Sequence, residues 1–407
     1  MRLMASAAAL AFVAPAFTAS LVRSDTTQNQ SGFAENPALY MKGFRNPRIV
    51  TSVGGHATCI SGILDVNASA TNQHLNVEMP ANSSVVTELI LEIFQSNSTY
   101  AENYGGPPTE VSGTYGIYSQ LCFPNGKIDT TTIQLLTHGI GCDRSYWNLV
   151  PDYSYVDYVA KQGYTTFFFD RLGTGLSDHP DPIQVVQLPL QVEILHSIVQ
   201  LLRTGAIAGH SFKHVIGVGH SYGSIQTQAV TEKYPQDFDA VILTGFTTSV
   251  TGMPIAFSSQ DLAIASEVLP TRFTGLSNGY LVTSHIQGIQ FLFFRAPSFD
   301  PALLNLADLT KQTLTVGELI SSRSPSVAPK FTGAIDVVVG ENDVPDCQGN
   351  CFYPQNLVSS VQGELFPVAR NSSSWYIVPG TGHGINFHYT ANEAYAQMQT
   401  FLRNNGF

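Results

Sequence analysis

Short unbroken apolar runs recur along the chain: Ile133 to Leu136, Thr165 to Phe169, the run beginning at Val215, Ala240 to Leu243, Ile335 to Val339 and Trp375 to Val378. Rich in β-branched and aromatic residues, they predict strands, that from Thr165 to Phe169 a buried one. Between them the period changes. Residues 188 to 203 repeat apolar positions at helical spacing and stop at Gly205, and Ile225, Ala229 and Val230 share one face of a helix that ends before Pro235. Strands alternating with helices predict a parallel sheet with right-handed crossovers.

Elsewhere the pattern differs. Residues 56–66 and 111–122 are strand-like and predict a β-rich N-terminal extension. Between them, Val85, Val86, Leu89, Ile90, Ile93 and Phe94 recur at helical spacing, with Ser84 as the expected cap. Residues 21–55 show no periodicity and are expected to form an irregular arm. Residues 250–330 lack strand runs and hold helix-like pieces with Phe257, Phe273, Tyr280, Phe291, Phe293, Phe294 and Phe299, which predicts an inserted helical cap over the site. The expected organisation is an α/β fold with core residues 56–249 and 331–407 divided by a cap at 250–330.

Composition narrows the function. Charged residues are only 12% and the net charge is −11, which excludes a phosphate-backbone partner because no basic cluster exists to hold one. Residues 1–20, MRLMASAAALAFVAPAFTAS, carry an early arginine, an alanine-rich apolar stretch and small residues near Ala16 and Ser20. They read as a secretory signal, too short for a stable membrane span, and imply a secreted protein. In an oxidising compartment the five cysteines are expected to form Cys59 to Cys122 and Cys347 to Cys351, leaving Cys142 free, although spacing does not fix connectivity. CQGNC is not expected to hold a metal, since no second Cys or His pair stands at ligand spacing. Sequons occur at Asn29, Asn67, Asn82, Asn97 and Asn371, of which those between 67 and 97 are the most plausible glycosylated surface sites.

The chemistry centres on Gly219-His220-Ser221-Tyr222-Gly223, where an apolar strand meets a helix. A serine needs a base to become nucleophilic and must stand clear of the backbone. A tight elbow does this, and it requires glycine at 219 and 223, where a Cβ would clash. A second GxSxG, Gly275 to Gly279, has neither strand nor helix around it and reads as a loop turn. The strand ending at Leu136 leads into Thr137-His138-Gly139-Ile140-Gly141, whose amides can face a developing oxyanion; those of Ile140 and Tyr222 are the expected oxyanion hole. His138 is expected only to hydrogen-bond backbone. Asp170 to Ser177 contains GxG, but position 178 is Asp, so the dinucleotide reading fails; a tight turn remains, with Asp170 and Arg171 expected to pair. Asp343, just past a strand, is the expected acid, with Glu341 and Asp346 as competitors and Asp336 as a strand-start residue. His383, among glycines in a loop, is the expected base; His388 is the weaker candidate.

The order Ser221, Asp343, His383 follows that of the α/β-hydrolase fold. From about residue 56 onward the sequence resembles the α/β-hydrolase superfamily through HGIG (138–141), DRLGTGLS (170–177), GHSYG (219–223), GEND (340–343) and GTGHG (380–384). The signal, sequons and N-terminal extension are similar to those of secreted fungal members, some of which act in secondary metabolism. The resemblance implies a serine hydrolase without metal or organic cofactor. The Phe-rich cap points to a small apolar carboxylic ester or lactone. Alternatives on the same fold are a prolyl-type peptidase, a lyase or cyclase of secondary metabolism, and a non-catalytic binding protein. Substrate identity and oligomeric state are not readable from the sequence.

Overall fold

The computed structural model describes residues 40–126, 131–322 and 324–407; the expected signal, most of the arm and Asn29 lie outside them. Nine strands form one sheet in the order β1-β2-β3-β5-β4-β6-β7-β11-β12. They are β1 Phe44–Thr51, β2 Ala57–Leu75, β3 Gly105–Pro124, β4 Thr132–Thr137, β5 Thr165–Phe169, β6 His214–His220, β7 Ala240–Thr244, β11 Ala334–Gly340 and β12 Ser374–Val378. The strands from β5 across to β12 are parallel, and β1, β2, β3 and β5 pair antiparallel.

Both faces of the parallel strands β4, β5, β6, β7 and β11 are covered, which is why they read as continuous apolar runs, whereas edge strand β12 leaves Trp375 exposed. Successive residues divide between two cores. Ile133, Leu135, Val215, Val241 and Leu243 pack with helices Leu188–Thr204 and Tyr222–Lys233. Leu136, Ile216, Val218 and Ile242 pack with helices Tyr155–Ala160 and Ala391–Asn404.

Three expectations about the periphery need correction. Residues 44–51 of the supposed arm form edge strand β1; with few of its side chains buried, it carries no alternation to read. Helix Ser83–Phe94 is capped by Asn82, whose side chain accepts from Val85 N, and Ser84 lies inside the helix. The cap is not purely helical. It includes helices Met253–Ser259, Ile286–Phe293 and Pro301–Thr310, but also a three-stranded antiparallel sheet, β8 Leu262–Ile264, β9 Tyr280–Thr283 and β10 Leu314–Thr315. Strands of two to four residues are too short to show a period.

The strand-like stretches 56–66 and 111–122 belong to a much longer ribbon, 19 residues of β2 against 20 of β3. Its distal half alternates small buried residues, Val66, Ala68 and Ala70, with exposed polar ones, and packs on helix Leu188–Thr204. Cys59 and Cys122 face each other in its register and are bridged. Cys347 and Cys351 form the second bridge, and Cys142 is free.

Candidate active site

β6 ends at His220 and helix Tyr222–Lys233 begins two residues later, leaving Ser221 at the corner with φ 54° and ψ −120°. Positive φ is strained for a side chain carrying a Cβ. The corner holds because Ser221 N donates to Thr244 O (2.9 Å) and Ser221 O accepts from Ser224 N (2.8 Å). The elbow glycines are needed for slightly different reasons. A Cβ on Gly219 would come 2.6 Å from Gly223 O, whereas one on Gly223 would come 2.2 Å from Thr137 O, on neighbouring β4. The elbow is therefore pressed against the next strand as well as folded on itself.

His383 lies in the loop after β12 and Asp343 in the turn after β11, so parallel pairing of these two strands brings them together. His383 Nδ1–H donates to Asp343 Oδ2 at 2.6 Å, with both residues buried. Asp343 is fixed by its own turn, since it caps helix Val344–Cys347 by accepting from Asp346 N. Burial alone lowers the His383 pKa, but the charge of Asp343, the hydrogen bond to it and the charge of Asp346 together raise it above its ordinary value.

Ser221 is linked to this pair through Gly245, which follows the Thr244 carbonyl that accepts from Ser221 N. Gly245 lies so close to the imidazole that a Cβ there would come 2.9 Å from His383 Cε1. No Ser221 to His383 hydrogen bond is formed; in unliganded sites such bonds are often long and tighten around substrate. Ile140 borders the same cavity as Ser221, and the HGIG loop approaches so closely that a Cβ on Gly139 would come 3.0 Å from Ser221 Cβ. Among the described residues neither the Ile140 nor the Tyr222 amide donates to a protein acceptor.

The remaining candidates have structural partners. His138 Nδ1–H donates to Gly139 O (2.9 Å) while Nε2 accepts from Arg171 N (3.0 Å). His388 Nε2 accepts from Arg295 N and Gly382 N, and Nδ1–H donates to Gly384 O; it pins the loop that carries His383. Glu341 accepts from Gly380 N. Asp336 sits third in β11, not at its start, and accepts from Ser374 Oγ. Asp170 and Arg171 do not pair with each other. Asp170 takes Arg144 (2.7 Å), and Arg171 takes Glu318 and Gln191 in a buried cluster beneath the Tyr222 ring. Ser277 lies in a loop, as expected of the second GxSxG.

Ser221 opens into a cavity of about 940 Å³ whose walls include Ile140, Ile225, Phe246, Val250, Met253, Phe257, Leu319 and Ile320. Of the seven cap aromatics only Phe257 lines it. Phe293 instead lies over the His383 ring at 6.0 Å, and Phe291 is exposed. Part of the wall comes from a region not anticipated as part of the site. Ile93, Phe94, Tyr100 and Ala101, in the excursion between β2 and β3, border the same cavity. Ile93 and Phe94 end an amphipathic helix, a pattern visible in the sequence whose destination depends on tertiary packing.

A mostly parallel sheet with a serine at a strand-to-helix elbow and a His–Asp pair beyond two later strands defines the class of the α/β hydrolases. A sequence profile of the alpha/beta hydrolase family matches residues 134–398, well over half of the chain, and the protein belongs to that family of enzymes. Among curated proteins no sequence matches. Solved structures with a similar fold include the putative non-heme bromoperoxidase BpoC of Mycobacterium tuberculosis H37Rv, at 12% identity and TM-score 0.50, covering 72% of this chain and 97% of that one. A thermophilic esterase from Thermogutta terrifontis (13%, TM-score 0.48) covers 71% of this chain and 95% of its own. The alpha/beta hydrolase GrgF from Penicillium sp. sh18 (16%, TM-score 0.47) covers 72% and 96%. Among the described residues no helix is long and apolar enough to cross a membrane.

Proposed function

We propose that this protein cleaves an apolar carboxylic ester or lactone through Ser221, His383 and Asp343, by way of an acyl-enzyme. The observation that carries the reading is Ser221, held at positive φ on the elbow and facing a large, mainly apolar cavity, with His383 bound to Asp343 beside it. His383 takes the Ser221 proton at Nε2 as Oγ attacks the carbonyl carbon, and Asp343 accepts from Nδ1–H and stabilises the imidazolium. The amides of Ile140 and Tyr222 receive the oxyanion. His383 then protonates the departing alkoxide, and water, activated by the same base, releases the acid.

The cavity favours an ester over a charged peptide because its acidic residues Glu318 and Asp346 are both buried, so a cationic or anionic substrate would lose its hydration with little compensation. A secretory route is part of the proposal. Two disulfides and exposed sequon residues Asn67, Asn82, Asn97 and Asn371 suit an oxidising, glycosylating compartment.

The test is fluorophosphonate labelling with the adduct located by peptide mass, followed by a panel of esters, lactones and aminoacyl amides. The expected result is one adduct on Ser221, ester turnover, and loss of both to background in Ser221→Ala. Turnover that survives Ser221→Ala sinks the nucleophile; amide turnover without ester turnover moves the assignment to a peptidase. Retention of Asn-linked glycan and both bridges in protein recovered from culture medium tests the route.

A further inference from the structure

One buried carboxyl beside His383 takes no part in the proposed reaction. Asp346 lies on helix Val344–Cys347, three residues after Asp343, and its side chain is buried. Its Oδ1 accepts from Thr247 N at 3.0 Å, and its own amide donates to Asp343 Oδ1 at 2.9 Å. Its Oδ2 has no hydrogen-bond partner among the described residues. That oxygen lies 3.7 Å from His383 Nδ1, the same atom that Asp343 Oδ2 holds at 2.6 Å.

One imidazole N–H therefore faces two carboxyls, and the three groups sit within 4.8 Å of one another. Carboxylates this close resist being ionised together. Burial first, then the charge of Asp343, push Asp346 well above the usual carboxylate range, opposed in part by His383 and the Thr247 amide. Asp346 thus keeps its proton to a higher pH than an ordinary carboxyl does. The titratable groups around it are Asp343 from its own turn and His383 from the loop after β12; His220, from the end of β6, is placed beyond the His383 ring at 5.0 Å.

We propose that Asp346 is a reserve acid for His383, a positioning residue able to accept the Nδ1–H bond when Asp343 cannot. The proposal rests on the reading of His383 as the base. It needs no large movement, because Oδ1 is anchored by Thr247 and only the Oδ2 to Nδ1 gap has to close. The proton balance is simple: the serine proton goes to His383 Nε2 as before, and Asp346 gives its own proton to solvent before it can accept from Nδ1. The function of such a pair is to keep the imidazole in its working tautomer despite loss of its first partner.

The experiment compares kcat/KM across pH for the full chain and for Asp343→Asn, Asp346→Asn and the double variant, with thermal melts to establish folding and Ser221→Ala as the baseline. Loss of the orienting acid in a triad costs about 10⁴-fold when nothing replaces it. Asp343→Asn is expected to lose only about 10²-fold, with activity climbing at alkaline pH as Asp346 ionises, and the double variant to lose about 10⁴-fold without that climb. In Asp346→Asn the acid limb is expected to move down, because a charge that raises His383 is gone. Identical profiles for Asp343→Asn and the double variant overturn the proposal while leaving the triad intact. If Asp343→Asn does not fold, an unmoved acid limb in Asp346→Asn overturns it. Turnover surviving in Ser221→Ala marks failure of the triad reading instead.

Discussion

Four histidines are buried: His138, His220, His383 and His388. Desolvation acts on all of them in the same direction, so their differences report partners. His138 and His220 are driven well below the ordinary histidine value by burial and then by the charge of Arg171 and of His383 respectively, and His388 falls to about 4 through burial alone. Only His383, against Asp343, is raised. A general base must be neutral, so activity is present above the His383 pKa and lost as pH falls through it. The kcat/KM profile on a neutral ester is expected to show an acid limb with its midpoint above ~6.5, the ordinary histidine value. A midpoint at or below that value contradicts the assignment of His383, because the other buried histidines titrate lower. The sequence had already set the two loop histidines apart by their surroundings. His383 stands among glycines, in a loop, whereas His388 closes the short turn Ile385–Phe387, ahead of helix Ala391–Asn404. What the sequence did not show is that the weaker candidate fixes the loop of the stronger one.

The elements show the same division between visible and hidden signals. Strands covered on both faces were legible because each is an unbroken apolar run, and the elbow because glycines bracket its serine. Edge strand β1 and the outer half of the β2–β3 ribbon were not, since few side chains of the first are buried, those of the second are polar or small, and the order of both comes from pairing across the sheet. Asp336 is the clearest case of a residue whose meaning depends on its strand. It is paired in register with Ser374 of β12, whose hydroxyl serves Oδ1, while Oδ2 has no partner among the described residues. Burial raises its pKa to about 7, with the Ser374 bond opposing. The folded chain therefore binds this proton more tightly than the unfolded chain, whose aspartates titrate near ~4. Stability falls as pH rises from about 4 to about 7 and levels off above. Asp336→Asn keeps an acceptor for Ser374 and removes the buried charge. It is expected to stabilise the protein by about 2–4 kcal/mol at pH 8 and by less at pH 5. Urea unfolding at the two pH values checks this, and equal gains at both contradict the titration argument.

At the scale of the whole molecule, the family match begins at residue 134, yet part of the cavity at Ser221 is built from the chain before it. The long ribbon carries residues 76–104 out over the site. Asn72 donates to Gln184 O and Val185 O, Gln184 takes both backbone groups of Leu75, and Gln187 takes both of Gln73. This clasp fixes the root of the excursion to the body of the enzyme. At its tip Phe94 stacks on Phe257 of the cap, with centroids 5.0 Å apart. The cavity is thus bordered from two sides, by the cap and by the extension, and Tyr100 and Ala101 are part of its lining. Ala101 is exposed, so a larger side chain there can be accommodated without disturbing the core. Ala101→Trp is expected to fill the part of the cavity that Tyr100 and Ala101 line. A long-chain ester such as a dodecanoate should lose about tenfold in kcat/KM, in the range that a hydrophobic pocket discriminates by size, while a butyrate should react as before. A chain-length series on the two proteins measures this. Equal losses on both esters would mean that this wall acts on Ser221 through the fold, and no loss on either would place the substrate elsewhere in the cavity, away from the extension.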